Sequence, residues 1–511
     1  MQINHCAAQG AIAQLGERLH GMQEVGGSIP PGSTKFSLKI GTKWLAPLAL
    51  AALFGLGSKL YRHVIDNLIC LFTLRVSTTF CIMTNEASLD PVKKVLIAGG
   101  GIGGLTAALA CLHHGHEVVV LEQAAELSQV GAGIQIPPNA VKVLQALKLD
   151  AEIIRRGFSP LALEARMGTT GLRLFQINVG AATADTGCWG APYVQIHRAD
   201  YVDVLATALA ARAPEALVTN ASVNSFTQNG KGVSVILNDG RRFDGDVLIG
   251  ADGIHSVVRR QLFGADHAVF TGNSAWRATV PIEKLGDYAP PPTACVWMGR
   301  GRHCVTYRLR GSQLVNFVGV VEHNNWPNDF HVASLQDEAW SRQGSKQEMQ
   351  ADFAGWHKTI THLIEQVETP HQWALFDRQP MKNWVQGRVA LLGDAAHPML
   401  PFMAQGAAMA VEDGWSLAAA LASVTPNTVT VMQDGDDVRV ALARYQRHRL
   451  KRAHRAQAAS RDNAQTFHQR SLWGQVKTYA PMWLGGKVAP NAVRARLDWL
   501  YEYDVTRFQH N

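Results

Sequence analysis

Three short stretches of this chain carry residue types that could do chemistry. The first is "VLIAGGGIGGLTAALA", residues 95–110, where an aliphatic run meets Gly99-x-Gly101-x-x-Gly104 and a helical pattern follows. In such a loop one glycine makes a tight turn, one lets the backbone approach a pyrophosphate, and one brings helix against strand. The helix N-terminus then offers free N–H groups and a favourable dipole to phosphates. "HEVVVLEQ" comes next, a second strand ending at Glu122. A carboxylate about twenty residues after the glycines accepts hydrogen bonds from ribose hydroxyls. Strand, glycines, helix, strand and acid in this order specify a dinucleotide site; they do not separate NAD from FAD.

The other two stretches are "DVLIGADGIHSVVR", residues 246–259, and "RVALLGDAAHPMLPFMAQGAAMAVED", residues 388–413. Each is a buried strand running into a small-residue loop and then a helix. Taken with the first, they resemble the three fingerprints of the group A flavoprotein aromatic monooxygenases, the family with the para-hydroxybenzoate hydroxylase fold. The resemblance extends from about Lys94 to Asp504. It implies that Gly99, Gly101, Gly104 and Glu122 hold the ADP part of a tightly bound FAD. It further implies that Asp394 binds the ribityl chain, and that Gly406 and Ala407 present backbone N–H groups to the flavin's pyrimidine edge. Arg198, in "QIHRADYVDVL", matches the arginine this family uses near the phosphates and ribityl. Asp252 and Arg259 match the loop linked to both FAD and pyridine nucleotide. Gln123 departs from the pattern, since many members carry arginine there. There is no second GxGxxG loop, as in the family, where NADH or NADPH visits transiently.

The implied reaction is hydroxylation of an electron-rich ring by a flavin hydroperoxide formed from reduced flavin and O2. The cofactor carries that chemistry, and the protein supplies orientation and excludes water. A base that deprotonates a phenolic substrate makes its ring more nucleophilic. "GRHCVTYRL" offers His303 and Tyr307, four apart and so on one face of a strand. They resemble the histidine–tyrosine pair of the 3-hydroxybenzoate 6-hydroxylase branch and are the candidate catalytic residues. Pro401 and Phe402 lie where the family places residues beside the substrate. Trp276, with Arg277, is a candidate pocket or nicotinamide contact, whereas His397 in "GDAAHP" is expected to be structural. Several salicylate and 6-hydroxynicotinate hydroxylases carry histidine at the Phe402 position, and 3-hydroxybenzoate enzymes carry glutamine near Pro401. This chain has neither, so the substrate stays open within small phenolic or N-heteroaromatic acids. The rival readings are a same-fold epoxidase or ubiquinone-pathway hydroxylase with a larger apolar substrate, and a flavin-binding redox sensor.

Positioning these groups requires an α/β fold: a discontinuous, GR2-type Rossmann-like FAD-binding domain (residues 92–160, 195–262 and 385–425). The apolar–polar alternation of segments such as "TACVWMGRGRHCVTYRLRGSQLVNFVGVVE" reads as an antiparallel sheet, which the family resemblance makes an interleaved substrate domain (161–194 and 263–384). Residues 426–511 read as a C-terminal helical region whose basic helix presents a solvated face with arginine stems packed on the body.

The 511 residues carry a net charge of +7, with seven Lys/Arg against three Asp/Glu in residues 1–82, so the remainder is nearly neutral. That excludes the concentrated basic face of a nucleic-acid binder. Seven cysteines without a CxxC pair exclude a zinc site and fit reduced thiols in a cytoplasmic protein, monomer or homodimer. The apolar run 44–57 contains a proline and falls short of the ~20 residues that span a bilayer. With codons chosen freely, residues 10–34 can be written as an alanine transfer-RNA gene, with "GGSI" as its T-arm and "ST" leading into its CCA end. The expectation is therefore that residues 1–82 are a non-native extension from a mis-assigned start, with translation beginning at Met83, the alternative being a genuine but unstructured extension; intact mass of the native protein is the check.

Overall fold

The computed structural model describes residues 93–127, 132–180, 189–265, 268–323, 341–423 and 437–507. The leading segment, with its proposed start at Met83, lies outside these residues.

Four aliphatic strands with buried interiors, Lys94–Ala98, Glu117–Leu121, Val247–Gly250 and Val389–Leu391, lie parallel at the centre of a six-stranded sheet. Ile97 sits between Ile249 and Val120. Such near-continuous Val/Ile/Leu runs are what a sheet covered on both faces demands. The strand from the third motif, Val389–Leu391, joins beside the strand of the second motif. All three signature loops therefore leave the same end of one sheet, where ligands of open parallel sheets bind.

A second sheet of eight strands is built from residues 162–178 and 269–377, antiparallel except where Ala294–Gly299 runs alongside Ala162–Met167. Its two faces do different work. One buries Trp276, Trp297, Cys304 and Phe317 under Phe353 and the helices Lys346–Asp352 and Lys358–Glu365. The other carries Ala275 and Val320 against Leu400 and Phe402 of the third motif and Phe467 of a long helix. Because side chains alternate along a strand, each residue's neighbour decides its face.

The C-terminal region forms helices Asp437–Phe467, Leu472–Val488 and Pro490–Tyr501. The first is basic, but it does not simply bathe its arginines in solvent. Arg449 is fully buried and contacts Glu412 Oε2 at 2.5 Å and Asp413 Oδ1 at 2.8 Å, both from the helix Gly406–Ala422. Arg452 adds a second contact to Glu412 at 2.7 Å. Two adjacent buried carboxylates require cations, and the long helix supplies them.

This cluster makes the fold acid-sensitive. Burial would raise Asp413, but His397 and Arg449 beside it more than offset this and hold its pKa at about 2. A folded value below the unfolded ~3.9 means the ionised form stabilises the fold above about pH 4. That contribution, roughly 2 kcal/mol, is lost as pH falls from about 5 through 2. Asp413→Asn is expected to flatten this part of a pH-dependent melting curve, while lowering the melting temperature at neutral pH. An unchanged acid slope in the variant would assign the sensitivity elsewhere.

Candidate active site

The glycine loop is closed by its own backbone. Gly99 has φ +105°, in the region that favours glycine, and a Cβ there would lie 2.4 Å from the Ala251 carbonyl oxygen. At Gly104 a Cβ would lie 2.0 Å from the Gly99 carbonyl oxygen. Gly101, between them, faces open space, so the loop forms a cradle with one free side. Glu122 closes its rim, its Oε2 accepting the Gly100 N–H at 2.6 Å and its Oε1 the Ala124 N–H at 2.9 Å. Gly104→Ala puts a methyl onto backbone that cannot yield. It is expected to abolish flavin retention, read as the loss of visible flavin absorbance from purified protein. Full flavin content in the variant would contradict the cradle.

The second loop is braced rather than open. Asp252 accepts from Ser256 Oγ at 2.5 Å and from the Val258 N–H at 3.1 Å, tying down the start of the helix Val257–Phe263. Burial raises its pKa, with the Ser256 hydrogen bond opposing. Arg259 donates to the Ala395 carbonyl at 3.0 Å and the Ile254 carbonyl at 2.7 Å, lacing the second loop to the third.

Around the third loop, polar groups converge without side-chain hydrogen-bond partners among the described residues. Asp394 sits deep in the fold yet stays open to solvent, on the floor of a cleft. Burial raises its carboxyl, and His397 and Arg198 counter that. Arg198 opens the helix Arg198–Arg212. Its buried Nε has no hydrogen-bond partner among the described residues. Burial and Arg277 lower its pKa, and Asp394 opposes them. Gly406 begins the helix Gly406–Ala422; a Cβ there would come no closer than 3.7 Å to Met399 and 3.9 Å to Asp394. The first N–H groups of that helix, at Gly406 and Ala407, have no acceptor within it. A Gly-rich cradle, an unpartnered buried guanidinium nitrogen, a carboxylate on the cleft floor and a helix N-terminus fit an extended dinucleotide. His397 points elsewhere, holding Asp413 Oδ2 at 2.5 Å.

The strand Arg302–Leu309 brings His303 and Tyr307 to the face that meets this cleft. His303 is buried against Phe402 and Phe467, with ring centroids 5.2 and 5.1 Å away. Burial, with His468 beside it, holds its pKa well below the usual histidine range, so the ring is neutral at neutral pH. Its Nδ1 lies 2.6 Å from His468 Nε2. Tyr307 is buried beside Asn316, whose Oδ1 accepts the Gly133 N–H at 2.7 Å. Burial raises the phenol, outweighing Arg277 and Asn316, so Tyr307 is a neutral hydrogen-bonding group. Phe402 is buried in the short turn Pro401–Met403, while Pro401 is exposed.

Trp276 does not belong to this pocket. It is fully buried on the opposite face, its Nε1 donating to Asp352 Oδ2 at 2.7 Å. Alternation along Val269–Pro281 puts the neighbouring Arg277 on the cleft side instead, its guanidinium 5.4 Å from the Trp373 ring. Arg277 has no carboxylate partner among the described residues, and burial lowers its pKa, with Tyr307 opposing. His468 and Glu322 also reach the site and were not among the sequence candidates. Nothing in "FHQR" points to a strand 165 residues upstream.

Among the described residues no helix is long and apolar enough to cross a membrane. The family model described as FAD binding domain matches residues 93–460. The chain is 35 % identical to 3-amino-4-hydroxybenzoate 2-monooxygenase PtnB3 of Streptomyces platensis, over 76 % of this chain and 91 % of that protein. It is 35 % identical to 3-hydroxybenzoate 6-hydroxylase of Polaromonas naphthalenivorans (strain CJ2), over 80 % and 96 % respectively. Among solved structures, a salicylate hydroxylase substrate complex superposes with a TM-score of 0.65 at 26 % identity, over 81 % of this chain and 96 % of that one. Signature loops, cleft and relatives agree: the chain belongs to the FAD-binding-domain family and, within it, to the group A aromatic-ring monooxygenases.

Proposed function

We propose that this chain hydroxylates a small phenolic or N-heteroaromatic acid with FAD, O2 and NADH or NADPH. The observation that carries the reading is the pairing, at one cleft, of a neutral buried histidine with a half-buried arginine that has no carboxylate partner among the described residues. A partly desolvated charge without a partner is unfavourable, so a substrate carboxylate is the natural counter-ion for Arg277. His303 Nε2 then takes the ring hydroxyl proton, and Tyr307 contributes a neutral hydrogen bond. Bound and reduced FAD supplies the activation of O2 and the transfer of hydroxyl to the ring.

Gly99, Gly101, Gly104 and Glu122 would hold the ADP portion, Arg198 and Asp394 the phosphate and ribityl portion, and the Gly406 and Ala407 amides the flavin ring. The positive end of the helix dipole there favours negative charge on the reduced ring. Asp252 and Arg259 serve by bracing the loops that carry these contacts. A cytoplasmic location is part of the proposal, supported by Cys111, Cys295 and Cys304, which are buried and free.

The test follows NADH and NADPH oxidation by the FAD-loaded full chain. Salicylate, 3-hydroxybenzoate, 3-amino-4-hydroxybenzoate and 6-hydroxynicotinate are added singly, and products are identified. Stimulated oxidation with one hydroxylated product supports the reading. Flavin that reduces and reoxidises identically with and without every acid overturns the substrate class.

A further inference from the structure

Behind His303 the structure places two further groups in line. His303 Nδ1 lies 2.6 Å from His468 Nε2, and His468 Nδ1 lies 3.0 Å from Glu322 Oε1. His468 sits just past the end of the long helix Asp437–Phe467 and its side chain is 2 % exposed. Glu322 ends the strand Leu314–Glu322 and is 22 % exposed. Arg470, largely exposed, donates to the other Glu322 oxygen at 2.6 Å. The line therefore runs from the pocket, through two buried imidazoles, to a carboxylate at the protein surface.

The end of the line dictates the rest. An ionised carboxylate only accepts, so His468 Nδ1 must carry the proton that it shares with Glu322. With the His468 ring neutral, its Nε2 is then an acceptor and His303 Nδ1 is its donor. That leaves the lone pair of His303 on Nε2, which has no hydrogen-bond partner among the described residues. His468 is the one ionisable neighbour of His303 among the described residues; Phe402 and Phe467 make up the rest of its ring neighbours.

We infer that His468 and Glu322 form a proton exit from the active site and, through their hydrogen bonds, orient His303 as its base. The inference rests on the assignment of His303 as that base. When a phenolic substrate binds, its O–H bond breaks and the proton goes to His303 Nε2. The Nδ1 proton of His303 passes to His468 Nε2, the Nδ1 proton of His468 passes to Glu322, and Glu322 releases one proton to water. The product is a bound phenolate, with both imidazoles neutral in the flipped tautomer until they re-equilibrate. His468 and Glu322 are positioning residues and touch no substrate.

The experiment mixes FAD-loaded full-length protein rapidly with 3-hydroxybenzoate or 3-amino-4-hydroxybenzoate, in weak buffer with an indicator dye. It reads proton release to solvent and the near-ultraviolet band of the phenolate. His468→Gln and Glu322→Gln are expected to keep FAD content and substrate affinity within about threefold of wild type. Both should slow proton release by about tenfold or more, the scale of one lost proton-transfer partner. Glu322→Gln stands at the surface end, so it carries the test even where His468→Gln loses flavin. Proton release at the wild-type rate in Glu322→Gln overturns the exit. Wild-type phenolate formation in His303→Ala instead overturns the base assignment, and the exit with it.

Discussion

Arg449→Met is expected to destabilise the protein by about 3–5 kcal/mol, the usual cost of removing one partner from a buried ion cluster. For a body of this size that lowers the melting temperature by roughly 3–6 °C. Arg449, Glu412 and Asp413 are all inaccessible to solvent, so no water replaces the lost guanidinium. Arg452 can still serve Glu412, but Asp413 keeps only the His397 imidazole as a side-chain partner among the described residues. The effect should also reach the cofactor. Glu412 and Asp413 lie two turns into the helix whose N-terminal amides are proposed to hold the flavin ring, and Asp413 accepts the Gly393 N–H at 3.1 Å in the adjoining loop. Flavin should therefore dissociate from the variant more readily below its melting point. Differential scanning calorimetry with and without added FAD measures both effects. Arg452→Met should cost less, because Arg449 continues to hold Glu412. Equal melting temperatures for Arg449→Met and wild type would show that the buried cluster contributes no stability.

The cofactor half of this molecule was legible in its sequence because its signals are local. Gly99, Gly104 and Glu122 act through turns and short strands, and spacing along the chain is their geometry. The sheet over the cleft was legible in kind, from alternation, and only partly in facing. His303 and Tyr307 share a face as their four-residue spacing requires. Trp276 and Arg277, however, are neighbours on opposite faces, and the chain alone offered no register to choose between them. What decides is a pair of helices, Lys346–Asp352 and Lys358–Glu365, that covers one side of the sheet and accepts the bulkier indole. The acidic pair Glu412–Asp413 and the arginines of the long helix each look ordinary in sequence, an exposed acidic step and a solvated basic face. Their meaning is mutual and appears only when the two helices pack. The same holds for His468, whose importance lies in an imidazole nitrogen contributed from 165 positions away.

His303→Ala is expected to lower the hydroxylation rate by about 10²–10⁴, the range for loss of a general base. Flavin content and the rate of flavin reduction by NADH should stay near wild type. None of the residues in the glycine cradle or the Arg198–Asp394 cleft contacts His303. The expected signature is thus a split: NADH is still consumed, but less of it ends in hydroxylated product. The pH dependence adds a second check. Burial holds His303 below the ordinary histidine pKa, so the ring is already neutral where free histidine is half charged. The acid limb of the wild-type rate profile should therefore lie below about pH 6.5, and the variant should lack it. His303→Gln, which keeps a hydrogen-bonding side chain but cannot take up the proton, should behave like the alanine variant in rate and bind substrate more tightly than it. Hydroxylation within about threefold of wild type in both variants would remove His303 from the reaction. Loss of flavin in proportion to loss of rate would make it a structural residue of the cleft wall instead.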